Sequence, residues 1–283
     1  MSGADPRFAT PRVRKKETLV NAKNIFLPLV VLSVLLGGGC GKGKTPITMA
    51  GSTAFQPFAE KLAEQYMSTN NNVAITVQGG GSAVGVQSTI SGAAQIGMAD
   101  LVVLPEEAKV LSATVVARDG IAVVVNPANG TADLTTQQVR DIFNGKIRNW
   151  KEAGGSDAII TVVSREAGSG TRSSFEQIIK DISLTKDALI QDSNGTIRET
   201  VANDANAVGY LSHGLLNEKI RALKIDGQEC NNETIGTGKY TLVRPIYLLV
   251  KGTPEGEIKG FIDYILSDPG QQTIRANGLI PAK

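Results

Sequence analysis

A chain of 283 residues is too long for one small core, so its length favours two domains. Its 41% hydrophobic and 20% charged residues are ordinary for a globular protein and exclude the disordered and fibrous classes. The chain has 29 basic and 27 acidic residues, but six of the basic and only two of the acidic ones precede Gly41, so the remainder carries a net charge of −2. That balance, without a basic stripe, gives no sign of a nucleic-acid partner.

The first 40 residues have the organisation of a secretion signal. A basic stretch that ends at Lys23 is followed by the apolar run 25–36, then by small residues and Cys40. Signal peptides have this order of segments, and the run is too short to span a bilayer comfortably. Small residues before a cysteine resemble a bacterial lipoprotein signal, so we predict that residues 1–40 are a signal segment with Cys40 lipidated. In the alternative, an ordinary signal is cleaved and Cys40 has no role.

Strand and helix signals alternate in the next part of the chain. The predicted elements are a strand at 47–50, a helix from Phe55 to Tyr66, a strand at 73–78, a helix that ends near Ile90 and a strand at 95–99. The helices are predicted from apolar residues three or four positions apart, and the strands from short apolar or alternating runs. This order of elements indicates an α/β fold built on a parallel sheet.

The rest of the chain repeats this α/β order. Its predicted elements are a β-rich run at 114–126, a helix that begins at the capping box of Thr135 and Gln138, a strand at 159–163, a helix around 173–180, a β-rich run at 240–250 and a helical tail with Ile258, Phe261, Ile262 and Ile265 on one face. We expect domain one to consist of residues 46–122 and 241–283, and domain two of residues 123–240. Two crossing strands would then act as hinges.

Residues that carry enzyme chemistry are scarce. His213 is the one histidine of the sequence, and neither a metal-ligand cluster nor a G-x-S-x-G motif accompanies it. We therefore expect no enzyme activity and no cofactor or metal, with His213 in a structural or surface position. Trp150, the one tryptophan, is expected in the core, and Cys230 is expected to be a lone thiol because Cys40 is the only other cysteine.

Three turns rich in glycine and small hydroxyl residues each lie between a predicted strand and a predicted helix. They are Gly51-Ser52-Thr53-Ala54, Gly81-Ser82 and Gly168-Ser169-Gly170-Thr171. Such turns present backbone N–H groups and the positive end of a helix to an anion. Arg165 precedes the last turn, and its guanidinium is suited to bind a tetrahedral oxyanion with two hydrogen bonds. Together, the turns predict an oxyanion site.

The turns belong to a longer series of motifs. The series consists of Gly-Ser-Thr-Ala at 51–54 followed by Pro57, Gln-Gly-Gly-Gly-Ser at 78–82, Gly97 and Asp100, Ala-Arg-Asp-Gly at 117–120, Ile-Arg-Asn-Trp at 147–150, Ser-Arg-Glu-Ala-Gly-Ser-Gly-Thr-Arg at 164–172 and Gly209-Tyr210. In this order the motifs resemble the phosphate-binding proteins of bacterial phosphate ABC transporters, over roughly residues 46–283. The resemblance implies a two-domain, periplasmic-binding-protein-like α/β fold with its ligand in the cleft between the domains.

The resemblance also implies which residues contact phosphate. From domain one they are Thr53, Ala54, Ser82 and Asp100, and from domain two Arg165, Ser169, Gly170 and Thr171. Ser52 is either a further contact or the cap of the first helix. Some relatives place an Asp two residues after the arginine to orient it, but this chain has Ala167 there. Glu166 or another acid is therefore expected to hold Arg165.

The resulting expectation is an extracytoplasmic receptor that captures inorganic phosphate and delivers it to an ABC transporter permease. It would be a monomer, periplasmic or on the cell surface, held to a membrane by its lipid anchor, and would bind no nucleic acid. Two alternatives keep the fold: a receptor for sulfate, molybdate or tungstate, and a phosphate sensor. A phosphatase would need a nucleophile with its base, or a metal cluster, and the motifs include neither.

Overall fold

The computed structural model describes residues 43–282 of the chain. The predicted signal segment and the lipidation of Cys40 lie outside these residues, so both stay predictions. Within residues 43–282, none of the helices has the length and apolar character that a bilayer crossing requires.

Residues 43–282 form twelve strands and eight α-helices. The strands are β1 Thr45–Gly51, β2 Val73–Gln78, β3 Ile96–Ala99, β4 Leu111–Val125, β5 Asp133–Leu134, β6 Thr161–Arg165, β7 Leu189–Gln191, β8 Ala207–Ser212, β9 Arg221–Ala222, β10 Lys224–Ile225, β11 Val243–Lys251 and β12 Ile280–Pro281. The helices are α1 Gln56–Thr69, α2 Ser82–Ser91, α3 Thr136–Phe143, α4 Gly170–Ile179, α5 Asn194–Asn203, α6 Asn232–Gly236, α7 Gly256–Leu266 and α8 Asp268–Ala276. The α/β class is confirmed.

One sheet runs through the whole described region. Its strands lie in the order β2-β1-β3-β11-β4-β8-β6-β7, with β9 and β12 paired to β4. As predicted, β1 is parallel to β2 and β3. Strand β6 is parallel to β7 and β8, two strands that the sequence analysis did not assign. The central strands β4 and β11 are antiparallel to each other and to the outer strands β8 and β3. The sheet therefore consists of two parallel halves joined through β4 and β11.

The two largest hydrophobic cores lie on either side of this junction. The first core includes Ala117 of β4 and Ile246 of β11 together with α1 and α7. The second core includes Ile121 of β4, and Val243 of β11 packs against it. Both strands thus pass from one core to the other within a few residues, as the two predicted hinge strands should. The predicted domain boundaries, near residues 122 and 241, fall close to this junction and stay a prediction.

Local sequence signals account for several helix ends and for the core face of the tail. The capping box of Thr135 and Gln138 forms at the start of α3, as predicted. In α7, Phe261, Ile262 and Ile265 are buried as expected, whereas Ile258 is only partly buried. Helix α8 follows α7 directly and packs against it and α1, whereas Ile280 of β12, which comes after α8, belongs to the second core.

The Trp, Cys and His singled out in the sequence have structural surroundings. Trp150 is buried in the second core, and its Nε1 donates to the Asn206 carbonyl at 2.9 Å. Cys230 is a buried free thiol, and burial raises its pKa. The Nδ1 of His213 lies 3.0 Å from the carbonyl oxygen of Gly278, which connects the segment after β8 to the C-terminal segment.

Candidate anion-binding site

The three glycine-rich turns meet at one place in the fold. The N–H of Gly81 donates to the Gly51 carbonyl at 2.9 Å, which joins the second turn to the first. The N–H of Ala83 donates to the Gly168 carbonyl at 3.1 Å, which joins the second turn to the third. Because each turn leads into a helix, the N-termini of α1, α2 and α4 are brought together, and their positive ends favour an anion.

Glycine is required in two of these turns by close approach. A Cβ on Gly170 would lie 2.6 Å from Asp100 Oδ1 and would also collide with Ser82 Oγ. Gly81 has a φ of +88°, and a Cβ there would lie 2.8 Å from the Gly168 carbonyl oxygen. Real Cβ atoms do not make such contacts, and φ in this range is unfavourable for other residues. Glycine at positions 81 and 170 therefore allows the first and second halves of the site to touch.

Asp100 follows β3 and is 1% exposed. Its Oδ1 accepts a hydrogen bond from Ser82 Oγ at 2.5 Å, and its Oδ2 accepts one from Thr171 Oγ1 at 3.2 Å. Its backbone N–H donates to Ser82 Oγ at 3.0 Å. The structure thus brings together Ser82 and Asp100, predicted for domain one, with Gly170 and Thr171, predicted for domain two.

Arg165 is also 1% exposed, and an acid holds it as expected. Its Nε donates to Glu166 Oε2 at 2.9 Å and its Nη2 to Glu166 Oε1 at 2.8 Å, with a further bond from Nη2 to the Asp192 carbonyl at 3.1 Å. Glu166 therefore holds Arg165 in place, which the side chain of Ala167 cannot do. Of the guanidinium nitrogens, Nη1 is buried without a hydrogen-bond partner among the residues that the structure describes.

The tyrosine of the Gly209-Tyr210 motif supports the backbone of Arg165. Its hydroxyl lies 2.8 Å from Ser164 Oγ and accepts from the Arg165 N–H at 3.4 Å. Burial raises the pKa of Tyr210 to about 12, so the hydroxyl is neutral at physiological pH. The ring stacks on Phe175 of α4, with ring centroids 4.1 Å apart. Strand β6 and helix α4 are therefore fixed to each other where Arg165 projects.

One serine of the turns caps a helix, and another closes the turn that precedes a helix. Ser52 Oγ accepts from the N–H groups of Ala54 at 3.2 Å and Phe55 at 3.1 Å. These bonds lie in the turn before α1, whose N-cap is Phe55 without a side-chain cap, so Ser52 does not cap the helix itself. The Ala54 N–H is thereby engaged by Ser52. Ser169 Oγ accepts from the Arg172 N–H at 3.2 Å and caps α4. The hydroxyls of Ser52 and Ser169 keep their own hydrogen for donation, because accepting a hydrogen bond uses only lone pairs.

Asn194 is a polar residue of the site that the sequence analysis missed. It is the first residue of α5, is 1% exposed, and donates through Nδ2 to Thr53 Oγ1 at 3.1 Å. The same Nδ2 lies 3.5 Å from Thr171 Oγ1. Thr53 is thereby connected to Thr171, a residue of the other predicted domain. A capping box at Ser193 starts α5 in the structure, but the sequence analysis assigned no helix here and nothing in the sequence indicated where its N-terminus points.

A buried arginine and aspartate behind Asp100 were also missed. Arg244 of β11 is 1% exposed, and its Nη1 lies 2.5 Å from Asp100 Oδ2. Its Nη2 donates at 2.8 Å to Asp119 Oδ2, and Asp119 lies opposite Arg244 in the β4–β11 register. Asp119 Oδ1 accepts from Ser212 Oγ at 2.9 Å. Both strands contain other charged residues, Arg118 in β4 and Lys251 in β11, so no signal in the sequence singled out the pair.

The protein has two main cores, two strands that connect them, and a buried polar site formed by turns from both halves. These features define the class of two-domain solute receptors with a periplasmic-binding-protein-like fold. Sequence comparison agrees, since the profile of the PBP superfamily domain matches residues 38–269. The phosphate-binding protein PstS of Bacillus subtilis is 37% identical over 245 residues, which cover 85% of this chain and 82% of that protein.

Solved structures give the same result. A substrate-binding protein from Clostridium perfringens, assigned to a phosphate ABC transporter and solved with bound phosphate, is 37% identical and has a TM-score of 0.82, covering 84% of this chain and 100% of that chain. An ABC-type phosphate transport receptor from Vibrio cholerae is 34% identical with a TM-score of 0.70, covering 83% and 99%. The chain belongs to the PBP superfamily and, within it, to the family of the PstS phosphate-binding proteins.

Proposed function

We propose that this protein captures inorganic phosphate between its two domains and delivers it to the permease of a phosphate ABC transporter. The observation that carries the proposal is the buried Nη1 of Arg165, which has no partner within residues 43–282. A buried cationic donor without an acceptor costs free energy, so a site that retains one is expected to receive an anionic ligand. Family membership supports phosphate as that ligand.

The proposed contacts are those that the family resemblance implies. Arg165 supplies the positive charge, and the turn Ser169–Gly170–Thr171 supplies short donors. Further donors are the hydroxyl and backbone of Thr53 and the backbone N–H of Ala54. Ser82 supplies its backbone N–H, because its hydroxyl hydrogen is donated to Asp100 Oδ1. Asp100 supplies an acceptor. An ionised carboxylate only accepts hydrogen bonds, so it attracts an oxyanion that still carries a proton and repels one that carries none. Phosphate near neutral pH carries a proton and sulfate does not, so the site selects phosphate.

Capture requires the two domains to move, because the residues of the site are buried. The domains, 46–122 with 241–283 and 123–240, would separate by bending in β4 and β11. Hydrogen bonds join them at the site, such as those from Ala83 N–H to the Gly168 carbonyl and from Ser174 Oγ to the Asp100 carbonyl, both at 3.1 Å. Phosphate contacts both domains only when they approach each other, so its binding stabilises the closed arrangement.

We place the protein outside the cytoplasm and tether it to a membrane through Cys40. The basic, apolar and small-residue order of residues 1–40 supports this location. Wild-type protein is expected in the membrane fraction, and a Cys40→Ser variant in the soluble fraction. Wild-type protein that is soluble, with an N-terminus beyond residue 40, would contradict the anchor but not the binding function.

Calorimetric titration of residues 41–283 with phosphate, sulfate, molybdate and tungstate tests the function. We expect saturable binding of phosphate and no measurable binding of the three other anions at the same concentrations. Tighter binding of another oxyanion would replace phosphate as the ligand while keeping the receptor class. A chromogenic phosphate ester is expected to remain intact, and turnover would indicate a phosphatase instead.

A further inference from the structure

The buried ion pair of Arg244 and Asp119 lies at the junction of the two cores, behind the candidate site. Arg244 Nη1 contacts Asp100 Oδ2 at 2.5 Å, whereas Nη2 and Nε contact Asp119 Oδ2 at 2.8 and 3.3 Å. One arginine thus serves two carboxylates, and all three side chains are 1% exposed. Only Asp100 also contacts residues of the turns, so the arginine connects the hinge strands to the site.

The hydrogen bonds of Asp100 leave little capacity for a ligand. A carboxylate has about four acceptor positions, two on each oxygen. On Oδ2, Arg244 Nη1 at 2.5 Å and Thr171 Oγ1 at 3.2 Å occupy both. On Oδ1, Ser82 Oγ at 2.5 Å occupies one. One acceptor position therefore remains, on the oxygen nearest Gly170 and Ser82.

We propose that Arg244 is the positioning residue that sets the specificity of this site for a protonated oxyanion. It places a positive charge against Asp100 and fills one acceptor position on Oδ2. The single remaining position on Oδ1 then accepts the proton of phosphate and repels an oxyanion without one. This inference rests on the proposed capture of phosphate.

The surroundings of the two carboxylates determine what happens without the arginine. Burial raises the pKa of Asp119, and Arg244 opposes that increase. Cys230 and Tyr240 also lie near Asp119, and burial raises the pKa of each, so both are neutral at physiological pH. No other cation is hydrogen-bonded to Asp100 or Asp119 among residues 43–282. Loss of Arg244 would therefore leave two buried carboxylates without a counter-charge.

A dianion that then enters the site would decide which carboxylate takes up a proton. Asp100 is the nearer one, because it contacts Ser82 and Thr171 directly, whereas Asp119 is separated from the turns by Arg244. Like charges at close range favour protonation of one partner. A protonated Asp100 would donate a hydrogen bond, and a donor binds sulfate as readily as it binds phosphate. The arginine thus determines whether the same carboxylate rejects or admits an anion without a proton.

The test compares Arg244→Met and Arg244→Lys with wild-type protein by calorimetric titration with phosphate and with sulfate. Each titration is repeated in two buffers of different ionisation enthalpy, which gives the number of protons taken up per anion. Arg118→Met is the matched control, because Arg118 precedes Asp119 on β4 and is exposed. Wild type and the control are expected to bind phosphate and to reject sulfate.

For Arg244→Met we expect the preference for phosphate over sulfate to fall by about 100-fold or more, with uptake of about one proton per sulfate bound. Arg244→Lys keeps a positive charge but lacks the forked guanidinium that reaches both carboxylates, so we expect an intermediate loss of the preference for phosphate. This variant tests the inference if Arg244→Met does not fold. Wild-type preference and proton number in a folded Arg244 variant would overturn the inference. Failure of the wild type to bind phosphate would instead overturn the proposed function.

Discussion

The two buried arginines, Arg165 and Arg244, have opposite surroundings. Both are 1% exposed and both contact carboxylates. Arg165 shares its carboxylate, Glu166, with solvent, since that side chain is 31% exposed, and its Nη1 has no partner in the described part of the chain. Arg244 is enclosed by two carboxylates that are themselves buried.

This difference teaches how to recognise a ligand-binding arginine. Burial and ion pairing are the same for both residues, so neither property identifies the one that binds the anion. The hydrogen-bonding capacity that remains does identify it: Arg165 retains a free donor, whereas Arg244 is fully engaged in holding Asp100 and Asp119. We therefore assign attraction of the anion to Arg165 and selection of its protonation state to Asp100 with Arg244.

The largest effect is expected from removing the acceptor. Asp100→Asn replaces a carboxylate oxygen with an amide donor, so the reason for rejecting sulfate disappears. Discrimination between phosphate and sulfate is expected to fall by up to roughly 10⁴-fold, because a buried acceptor no longer goes unpaired when sulfate binds. Titration with both anions measures this, with Asp187→Asn, an exposed surface change, as the control. Persistent rejection of sulfate would show that selection does not depend on Asp100.

The next prediction compares how much the protein is destabilised when each of the two arginines is replaced. Arg244→Met leaves Asp100 and Asp119 buried without a counter-charge, and breaking such a pair typically costs about 3–5 kcal/mol in the free energy of unfolding. Arg165→Met leaves only Glu166, which can turn to solvent, and should cost clearly less. Denaturant unfolding of both variants without ligand checks this order. Equal losses would mean that the surroundings of the two arginines do not differ in the way described.

For phosphate affinity, in contrast to stability, we expect a large loss from Arg165→Met. The Arg165→Met variant lacks the cation that contacts the anion, and loss of such a contact costs about 2–5 kcal/mol, or tens to thousands of fold in Kd. Arg148→Met, which removes an exposed ion pair with Asp187 in the same half of the molecule, should bind as the wild type does. A folded Arg165→Met protein with unchanged affinity would remove Arg165 from the site.

A smaller effect on phosphate affinity is expected at Asn194, which is hydrogen-bonded to neither arginine. Asn194→Ala removes the bond to Thr53 Oγ1, the approach to Thr171 Oγ1 and the acceptor of the buried Ser212 N–H. The loss of about 1 kcal/mol per hydrogen bond predicts a phosphate affinity about fivefold weaker. Asn203→Ala at the other end of α5 removes only an exposed bond to the Glu199 carbonyl and serves as the control. Equal affinities of the two variants would exclude a contribution of Asn194 to closure.

The sequence predicted those parts of the site that depend on short motifs. The turns at Gly51, Gly81 and Gly168 precede helices that the sequence also indicates, so the turns could be placed from the sequence, and their contact with an anion stays a prediction. Arg244 and Asp119 could not, because they are 125 residues apart and meet only through strand pairing. Asn194 and Thr53 are 141 residues apart, and their contact depends on how the two halves close.

The fold shows the same distinction between local and distant signals. The sequence analysis placed β1 to β3 with errors of at most a few residues at their ends, because each strand has a short apolar or alternating run. It assigned no elements between residues 181 and 239, where α5 and β8 lie. Strand β8 is buried at all six positions and therefore does not alternate, and the turn-forming residues of Ser193-Asn194-Gly195 obscure the start of α5.

The central position of β11 has a consequence for the order in which the chain can fold. Strand β3 pairs with β1 on one edge, but its other edge is filled by β11, whose Leu249 lies opposite Gly97. Until β11 has docked, that edge of β3 presents unpaired backbone groups. The second core, by contrast, draws nearly all its residues from the part of the chain between β4 and β11. The second core can therefore form first, whereas the sheet of the first core is complete only when β11 has docked.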